Sequence, residues 1–384
     1  MRVTLIPSIR SLDPGLWKRF ESPDYPFLDY EFLLALEETE SIGLASGWQM
    51  AFLALESAEG LCAIHPSYVK SNSYGEYIFD WDWARFYSEN QTPYYPKLLS
   101  ALPFTPATGP RLLLSDATDA LARRHTLVAS ALNLAQSSGM SSYHALFLEP
   151  DEASIFEARG CTLRHSLQYH WHNKQYRDFS DYLDSFLGKR RRDILRERRH
   201  VREQGLVIER LTGKDLKPEL GQVMEDLYRT TIDKKEAIAY LQPGFFQKIF
   251  SSMSDRILLV TAKDEGRIVA ASLNLFKGEK LYGRYWGALQ HYPDLHFELC
   301  YYQTLEFAME RGLKVFEAGA QGEHKIQRGF LPKIILSAHK ILDPRFEDPI
   351  ARYIEAEKQH FRQAIASLQS QSPFRTSEPG MDLT

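Results

Sequence analysis

The chain has 384 residues, of which 44% are hydrophobic, 12% aromatic and 25% charged. This composition is typical of a folded globular protein and excludes a disordered or fibrous chain, and the length allows two domains, each with its own core. The formal net charge of −4 argues against general affinity for nucleic acids, so any binding of a polyanion must come from a local patch.

The cysteines and the N-terminus indicate the compartment. Cys62, Cys161 and Cys300 lie far apart without the spacing of a metal site, which favours reduced thiols. The N-terminus has no apolar signal region, and no apolar run approaches the length of a transmembrane helix. The sequence therefore predicts a cytoplasmic protein with no metal and no tightly bound cofactor, and peripheral contact with a membrane stays open.

The first half of the chain has the pattern of an antiparallel meander followed by a helix and further strands. Alternation of aromatic and other residues in Tyr77-Ile-Phe-Asp-Trp-Asp-Trp83 predicts the third strand of that meander. The predicted elements are strands at 48–56, 61–70 and 77–83, a helix at 117–137, a strand at 143–148, a helix at 152–159 and a strand at 162–172.

A basic segment opens the second half. Residues 189–202 contain eight Lys or Arg residues, and Ile194 and Val201 at heptad spacing predict a helix. Arg191 and Arg198 fall on the same stripe as these apolar residues, which predicts that they face a cleft and bind a phosphate or carboxylate. Two alternatives stay open, namely a charged surface helix with internal ion pairs and a patch for RNA or an anionic membrane.

The rest of the second half repeats the order β-β-β-α-β. The predicted elements are strands at 256–263, 267–276 and 280–288, a helix at 297–311 and a strand at 313–318. Two copies of this order predict an α+β fold of duplicated domains with mixed, mainly antiparallel sheets flanked by helices, and the order resembles the GNAT acyltransferase core. We place the domains at 1–176 and 177–345, followed by a helix at 350–368 and a disordered tail.

The last predicted strand runs into a loop punctuated by Gly319, Gly322 and Gly329, which let the backbone turn. So many polar and titratable side chains at the end of a buried strand indicate a functional site rather than a connector. The candidates in and before this loop are Glu317, Gln321, Gly322, Glu323, His324 and Lys325.

Several motifs together resemble the Fem-type peptidyltransferases, and most closely the FemAB-like peptidoglycan biosynthesis/recognition family. The basic core Phe-Leu-Gly-Lys-Arg-Arg-Arg-Asp-Ile-Leu-Arg resembles the helix that opens the second Fem domain, and Thr108-Gly-Pro-Arg-Leu-Leu113 resembles the Gly-Pro loop of the first. The resemblance covers residues 8–341. The pieces that match the FemAB-like family are Tyr94-Tyr-Pro-Lys97, Pro103-Phe-Thr-Pro106, His296-Phe-Glu-Leu-Cys-Tyr-Tyr302 and Gly319-Ala-Gln-Gly-Glu-His-Lys325.

The resemblance implies tandem GNAT-like domains that form one site for transferring an acyl or aminoacyl group to an amine. The acceptor would be a small-molecule or lipid-linked amine of a cell-envelope precursor. The donor would be aminoacyl-tRNA, acyl-CoA or acyl carrier protein, and a glycine-free loop at 290–296 counts against acyl-CoA. A non-catalytic module that binds a peptidoglycan precursor or another anionic ligand is the alternative.

Acyl transfer to an amine needs a base for the ammonium and a stabiliser for the oxyanion. His324, whose side chain starts nearest to a neutral pKa, Glu317 and Glu323 are the candidate bases, and Lys325 is the candidate partner of the oxyanion. The candidate substrate-binding residues are Arg111, Arg191, Arg198, Tyr285, Trp286, Glu298, Tyr301, Gln321 and Gly322.

Overall fold

The computed structural model describes residues 1–319 and 322–375, and its elements have the α+β class predicted from the sequence. In the described residues the strands are β1 (Arg2–Ile6), β2 (Trp48–Met50), β3 (Phe52–Ser57), β4 (Gly60–His65), β5 (Tyr68–Lys70), β6 (Lys97–Ser100), β7 (Leu113–Leu114), β8 (Ser142–Leu148), β9 (Thr162–His172), β10 (Val207–Leu211), β11 (Ile257–Asp264), β12 (Arg267–Lys277), β13 (Lys280–Ala288), β14 (Val315–Glu317) and β15 (Leu331–Ile341).

Both halves of the chain contain helices. They are α1 (Pro14–Trp17), α2 (Tyr30–Glu38), α3 (Trp81–Glu89), α4 (Ala120–Ser137), α5 (Pro150–Ala158), α6 (Phe179–Asp184), α7 (Gly188–Glu203), α8 (Leu220–Lys234), α9 (Phe245–Ser252), α10 (Leu295–Phe297), α11 (Gln303–Glu310) and α12 (Pro344–Gln369). Helix α10 continues through a π-helical turn, Glu298–Tyr302, directly into α11. None of the described helices is long and apolar enough to cross a membrane.

The strands form a small sheet and a long sheet that runs through both halves. In the described residues the small sheet has the order β1-β3-β4-β7 and the long one the order β10-β11-β12-β13-β14-β9-β15-β8-β6-β5-β2. Each half contributes one parallel pair, β6 with β8 and β13 with β14, and its other pairings are antiparallel. The repeated arrangement agrees with a duplicated fold.

Strand β15 ties the two halves together. It belongs to the second half of the chain, yet it pairs antiparallel with both β8 and β9 of the first half. The halves also share an apolar core, in which Phe27 contacts Tyr282 and Phe32 contacts Phe245 at ring-centroid distances of 5.1 and 5.7 Å. The domain boundaries at 176 and 345 stay a prediction, but the segments they define do not have separate sheets.

The predicted strand at 77–83 is wrong. Tyr77 has a positive φ of 62°, which a strand excludes, and helix α3 begins at Trp81. The alternating aromatic residues belong to a turn and to this helix, in which Trp83 and Tyr87 are buried on one face. The third strand of the first meander is instead β6, further along the chain.

The predicted helix at 350–368 is confirmed as part of α12, which packs on β9 and β15. The tail predicted to be disordered begins at residue 369, but its described part contacts the protein. Pro373 O accepts a hydrogen bond of 2.8 Å from Leu187 N, and the Phe374 ring packs 4.9 Å from the Phe186 ring. Residues beyond 375 lie outside the described part of the chain.

Candidate active site

A cleft of about 750 Å³ lies where β13 and β14 stop pairing. Parallel pairing of these strands ends at Tyr282 and Glu317. Opposite this point the register between β12 and β13 shifts, so that Arg284 is the extra residue of a bulge. The cleft is lined on β13 by Gly283, Arg284, Tyr285 and Trp286, and after β14 by Ala318, Gly319, Gly322, His324 and Lys325.

Lys325 is the buried cation of this cleft, and only 3% of the residue is exposed. The 3-10 turn Glu323–Arg328 positions it, and its Nζ donates a hydrogen bond of 2.9 Å to Gly319 O. Burial lowers the pKa of Lys325 to about 8, and nearby Cys300 opposes this shift. The side chain is therefore mostly an ammonium at neutral pH and loses its charge just above it.

His324 lies beside Lys325 and is held by Tyr301. The Tyr301 hydroxyl and His324 Nε2 are 3.0 Å apart. Burial lowers the pKa of His324, and the charges of Arg328 and Lys325 lower it further, so the ring is neutral at physiological pH. Gly322 makes room for this ring, because a Cβ at that position would lie 2.4 Å from His324 Cε1.

The floor of the cleft carries polar groups of the neighbouring β12 and of the π-helical turn. Asn274 is 1% exposed; its Nδ2 donates to Leu258 O and to Ser272, while its Oδ1 has no hydrogen-bond partner within the described chain. Burial raises the pKa of the Cys300 thiol to about 12, so this cleft residue is a neutral thiol.

The remaining lining contains aromatic, aliphatic and cationic side chains. Lys235 and Arg284 add two cations to Lys325, and among the described residues no Asp or Glu lines the cleft. Coulomb attraction therefore favours a ligand with a phosphate or carboxylate group. The aromatic lining residues are Tyr77, Tyr228, Tyr240, Tyr285, Trp286 and Tyr301.

A second cavity of about 400 Å³ adjoins this cleft and shares Trp286 and His296 with it. It is lined mainly by the loop between β13 and α10, including Gln290 and His291. Burial and neighbouring cations lower the pKa of His296 to about 4, so the ring between the two cavities is neutral.

The structure does not place Arg198, Glu298 and Arg191 in the cleft. Arg198 is directed inward as predicted, but its guanidinium already donates hydrogen bonds to two carboxylates. These are Glu298, at 2.9 and 3.1 Å, and Glu306, at 2.6 Å. Arg191 pairs with Asp184 near the surface. Both arginines thus form ion pairs, as in the alternative of a charged helix, but their partners lie on other elements and not within α7.

Arg111 is likewise a structural residue. It is fully buried, and its guanidinium donates to the carbonyl oxygens of Ala107, Gly109, Pro110 and Leu146 at 2.9 to 3.3 Å. The side chain therefore fixes the Gly-Pro loop, because all of these acceptors belong to the backbone around it, and it does not line the cleft.

The two predicted carboxylate bases also lie outside the cleft lining. Glu317 is buried and accepts a hydrogen bond of 3.2 Å from Thr108 N in the first half of the chain, and burial raises its pKa to about 8. Glu323 is exposed. Gln321 lies outside the described residues, whereas Gly322, Tyr285, Trp286 and Tyr301 line the cleft as predicted.

Sequence reasoning missed Ser272, Asn274, Arg284 and Cys300. A signal was available for two of them, because Ser272 and Asn274 stand two residues apart in the otherwise apolar strand β12. Side chains at this spacing share one face of a strand. Arg284 gave no such signal, since the bulge that sets its position depends on pairing with β12.

Comparison with known proteins gives a family and a fold. The model of the FemAB-like family, described as peptidoglycan biosynthesis/recognition, matches residues 8–376. No curated protein matches the chain.

Three solved structures illustrate the fold. FemX is 13% identical with a TM-score of 0.52, and the match covers 91% of this chain and 100% of FemX. L-PGS from Bacillus licheniformis is 12% identical with a TM-score of 0.50, covering 83% and 95%. A conserved protein of unknown function from Bacteroides thetaiotaomicron is 10% identical with a TM-score of 0.51, covering 89% and 100%. The predicted α+β fold with mixed, mainly antiparallel sheets is confirmed, and the chain shares its overall fold with FemX.

Proposed function

Because the chain belongs to the FemAB-like family of peptidoglycan biosynthesis and recognition proteins, we propose that it is a transferase that moves an acyl or aminoacyl group to an amine of a cell-envelope precursor. The observation that carries this proposal is the buried Lys325 at the point where β13 and β14 separate. A buried ammonium there can stabilise the negative charge that develops when an amine attacks an acyl carbonyl.

In this reaction the amine nitrogen attacks the carbonyl carbon of the donor, and the carbonyl oxygen becomes an oxyanion. The ammonium of Lys325 stabilises that oxyanion, in a site of low dielectric where one charge has a large effect. The carbonyl then forms again as the bond to the leaving group breaks, and the leaving thiol or hydroxyl departs with the proton that the amine has lost. The fixed contact of Lys325 Nζ with Gly319 O, at 2.9 Å, orients the ammonium before substrate arrives.

His324 takes the proton that the attacking amine loses. If Nε2–H donates to the Tyr301 oxygen, 3.0 Å away, the lone pair of Nδ1 is free to accept this proton. A ring that is neutral at physiological pH is in the correct state for a base. Tyr301 then acts as a positioning residue that holds the imidazole.

Asn274 and the cations of the cleft determine whether the acceptor amine binds in its neutral or its protonated form. The unpaired Asn274 Oδ1 accepts a hydrogen bond from the amine, which satisfies a buried acceptor that is otherwise costly. Three cationic side chains without a carboxylate in the lining disfavour an ammonium, so the cleft selects the neutral amine and attracts an anionic group elsewhere on the same substrate.

The experiment is a donor screen with the purified full chain. Native mass spectrometry measures capture of acyl-CoA, aminoacyl-tRNA and acyl carrier protein, each with and without an amine-bearing peptidoglycan precursor, and denaturing mass spectrometry measures the mass of that precursor. We expect one donor to be captured and its acyl group to appear on the precursor.

The same screen distinguishes the alternative function. Capture of the precursor with no gain in its mass from any donor would contradict the proposed transfer and favour a binding module. Transfer to a hydroxyl instead of an amine, which alkaline hydrolysis of the product detects, would contradict the proposed acceptor.

A further inference from the structure

Helix α7 presents a row of cations to solvent. Lys189, Arg192, Arg196, Arg199 and Arg202 are exposed and recur every three or four residues, so they lie on one side of the helix. In the part of the chain that the structure describes, no carboxylate lies within ion-pair distance of any of them except Asp193, which is 3.1 Å from Arg196. We call these five residues the basic face.

Exposed leucines accompany the basic face. Leu195 lies between Arg192 and Arg199 and is 40% exposed, and Leu187 at the start of the helix is 46% exposed. The inward side of the same helix is apolar and buried through Ile194 and Val201. The exposed leucines are therefore not needed for the packing of α7.

Side chains of α7 contact the elements that line both cavities of the site. Glu197 pairs with Arg328 at 2.8 Å in the turn that carries Lys325. His200 pairs with Asp294 at 3.0 Å in the loop that lines the second cavity. Whatever binds the basic face is thus held by a helix that contacts the turn and the loop of the site.

We propose that the basic face of α7 docks on the surface of a membrane that contains anionic phospholipids. Cations near such a surface are attracted by its negative potential, leucine enters the boundary between headgroups and acyl chains, and arginine stems lie along apolar surface while their charged ends stay in water. The net charge of the chain is −4, so the attraction is confined to this patch.

An RNA partner fits these observations less well. RNA phosphates would also bind the cations, but they give no role to exposed leucines. Stacking on unpaired bases needs aromatic rings, and residues 188–203 contain no Phe, Tyr or Trp. Docking on a membrane would bring the site to a lipid-linked acceptor. This inference about the acceptor rests on the proposed function, whereas the docking itself does not.

The test is sedimentation of the full chain with vesicles of phosphatidylglycerol and phosphatidylcholine, compared with vesicles of phosphatidylcholine alone. The variants are Arg192→Ala/Arg199→Ala and Leu195→Ser, and the control is Lys214→Ala/Lys217→Ala, which removes two exposed cations outside α7. We expect the arginine double variant to bind the anionic vesicles about 30-fold more weakly, Leu195→Ser to bind several-fold more weakly, and the control to bind like the unchanged protein.

Two results would overturn the proposal. One is an unchanged protein that does not sediment with anionic vesicles, or sediments equally with neutral ones. The other is full binding by Leu195→Ser with displacement of the protein by bulk tRNA, which assigns the basic face to RNA. Because sedimentation requires no turnover, either result can be told apart from failure of the proposed acyl transfer.

Discussion

At the scale of single residues, the proposed chemistry of the cleft depends on the charge of Lys325. Its pKa is lowered from 10.5 to about 8 by burial, so the native protein binds fewer protons than the unfolded chain between these two values. This group therefore adds stability as pH rises through that window. The deprotonation of Lys325 in this window therefore does not by itself destabilise the native protein.

We expect the rate of acyl transfer at saturating substrate to fall as pH rises through about 8, because the neutral amine of Lys325 no longer stabilises the oxyanion. The variant Lys325→Arg keeps its charge at every accessible pH, so its rate should be lower but should show no fall near this value. Single-turnover rates between pH 6 and 10 measure this. An identical alkaline limb in both proteins would assign the fall to another group.

Gly322 gives a second test at this scale, because a side chain there meets the His324 ring at 2.4 Å. Gly60 has nearly the same φ, 107° against 108°, with nothing within 4 Å of its added Cβ. Ala at either position should cost about 1–2 kcal/mol of backbone strain. Only Gly322→Ala should also displace His324 and slow transfer, by about tenfold or more, measured beside urea unfolding of both variants. Equal activity of the two variants would remove His324 from the mechanism.

At the scale of elements, α7 shows which part of a prediction from a sequence pattern the structure confirms. The heptad spacing correctly predicted the helix and its buried Ile194 and Val201. The role of Arg198 was missed because its partners, Glu298 and Glu306, lie about 100 residues later in the chain. The strand predicted at 77–83 failed for a related reason, since alternating aromatic residues fit both a strand and the turn that leads into α3.

Arg191 and Arg198 of α7 should differ in their contribution to stability. Arg198→Ala leaves the carboxylate of Glu298, 4% exposed, without its main partner and should lower the free energy of unfolding by about 3–5 kcal/mol. Arg191→Ala breaks a pair whose side chains are 37% and 56% exposed and should cost at most about 1 kcal/mol. Urea unfolding monitored by circular dichroism compares them. Similar costs would mean that the Arg198 ion pair is not an anchor of the helix.

At the scale of the whole molecule, the sequence predicted the class and the repeated order of elements but not how the halves join. Short-range patterns predict single strands, whereas the insertion of β15 between β8 and β9 depends on contacts between distant parts of the chain. The site shows the same division. Lys325 and His324 were found because they stand together in a loop, and Asn274 and Arg284 were missed because β12 and β13 bring them there.

The shared sheet predicts that residues 1–176 do not fold alone. Without β15 the strands β8 and β9 lose a common partner, and the core around Phe27 and Phe32 loses Tyr282 and Phe245. We expect this fragment to aggregate or to show no cooperative thermal transition by circular dichroism, while the full chain unfolds in one transition. A cooperative transition of the isolated fragment would show that the halves are independent domains.

The most direct test of the proposed site is the single-turnover rate of acyl transfer with the donor that the protein captures. Lys325→Ala should lower this rate by about 100-fold or more, whereas Lys314→Ala, an exposed lysine at the start of the same segment, should leave it unchanged. Wild-type rates in both variants would contradict the assignment of the cleft between β13 and β14 as the place of acyl transfer.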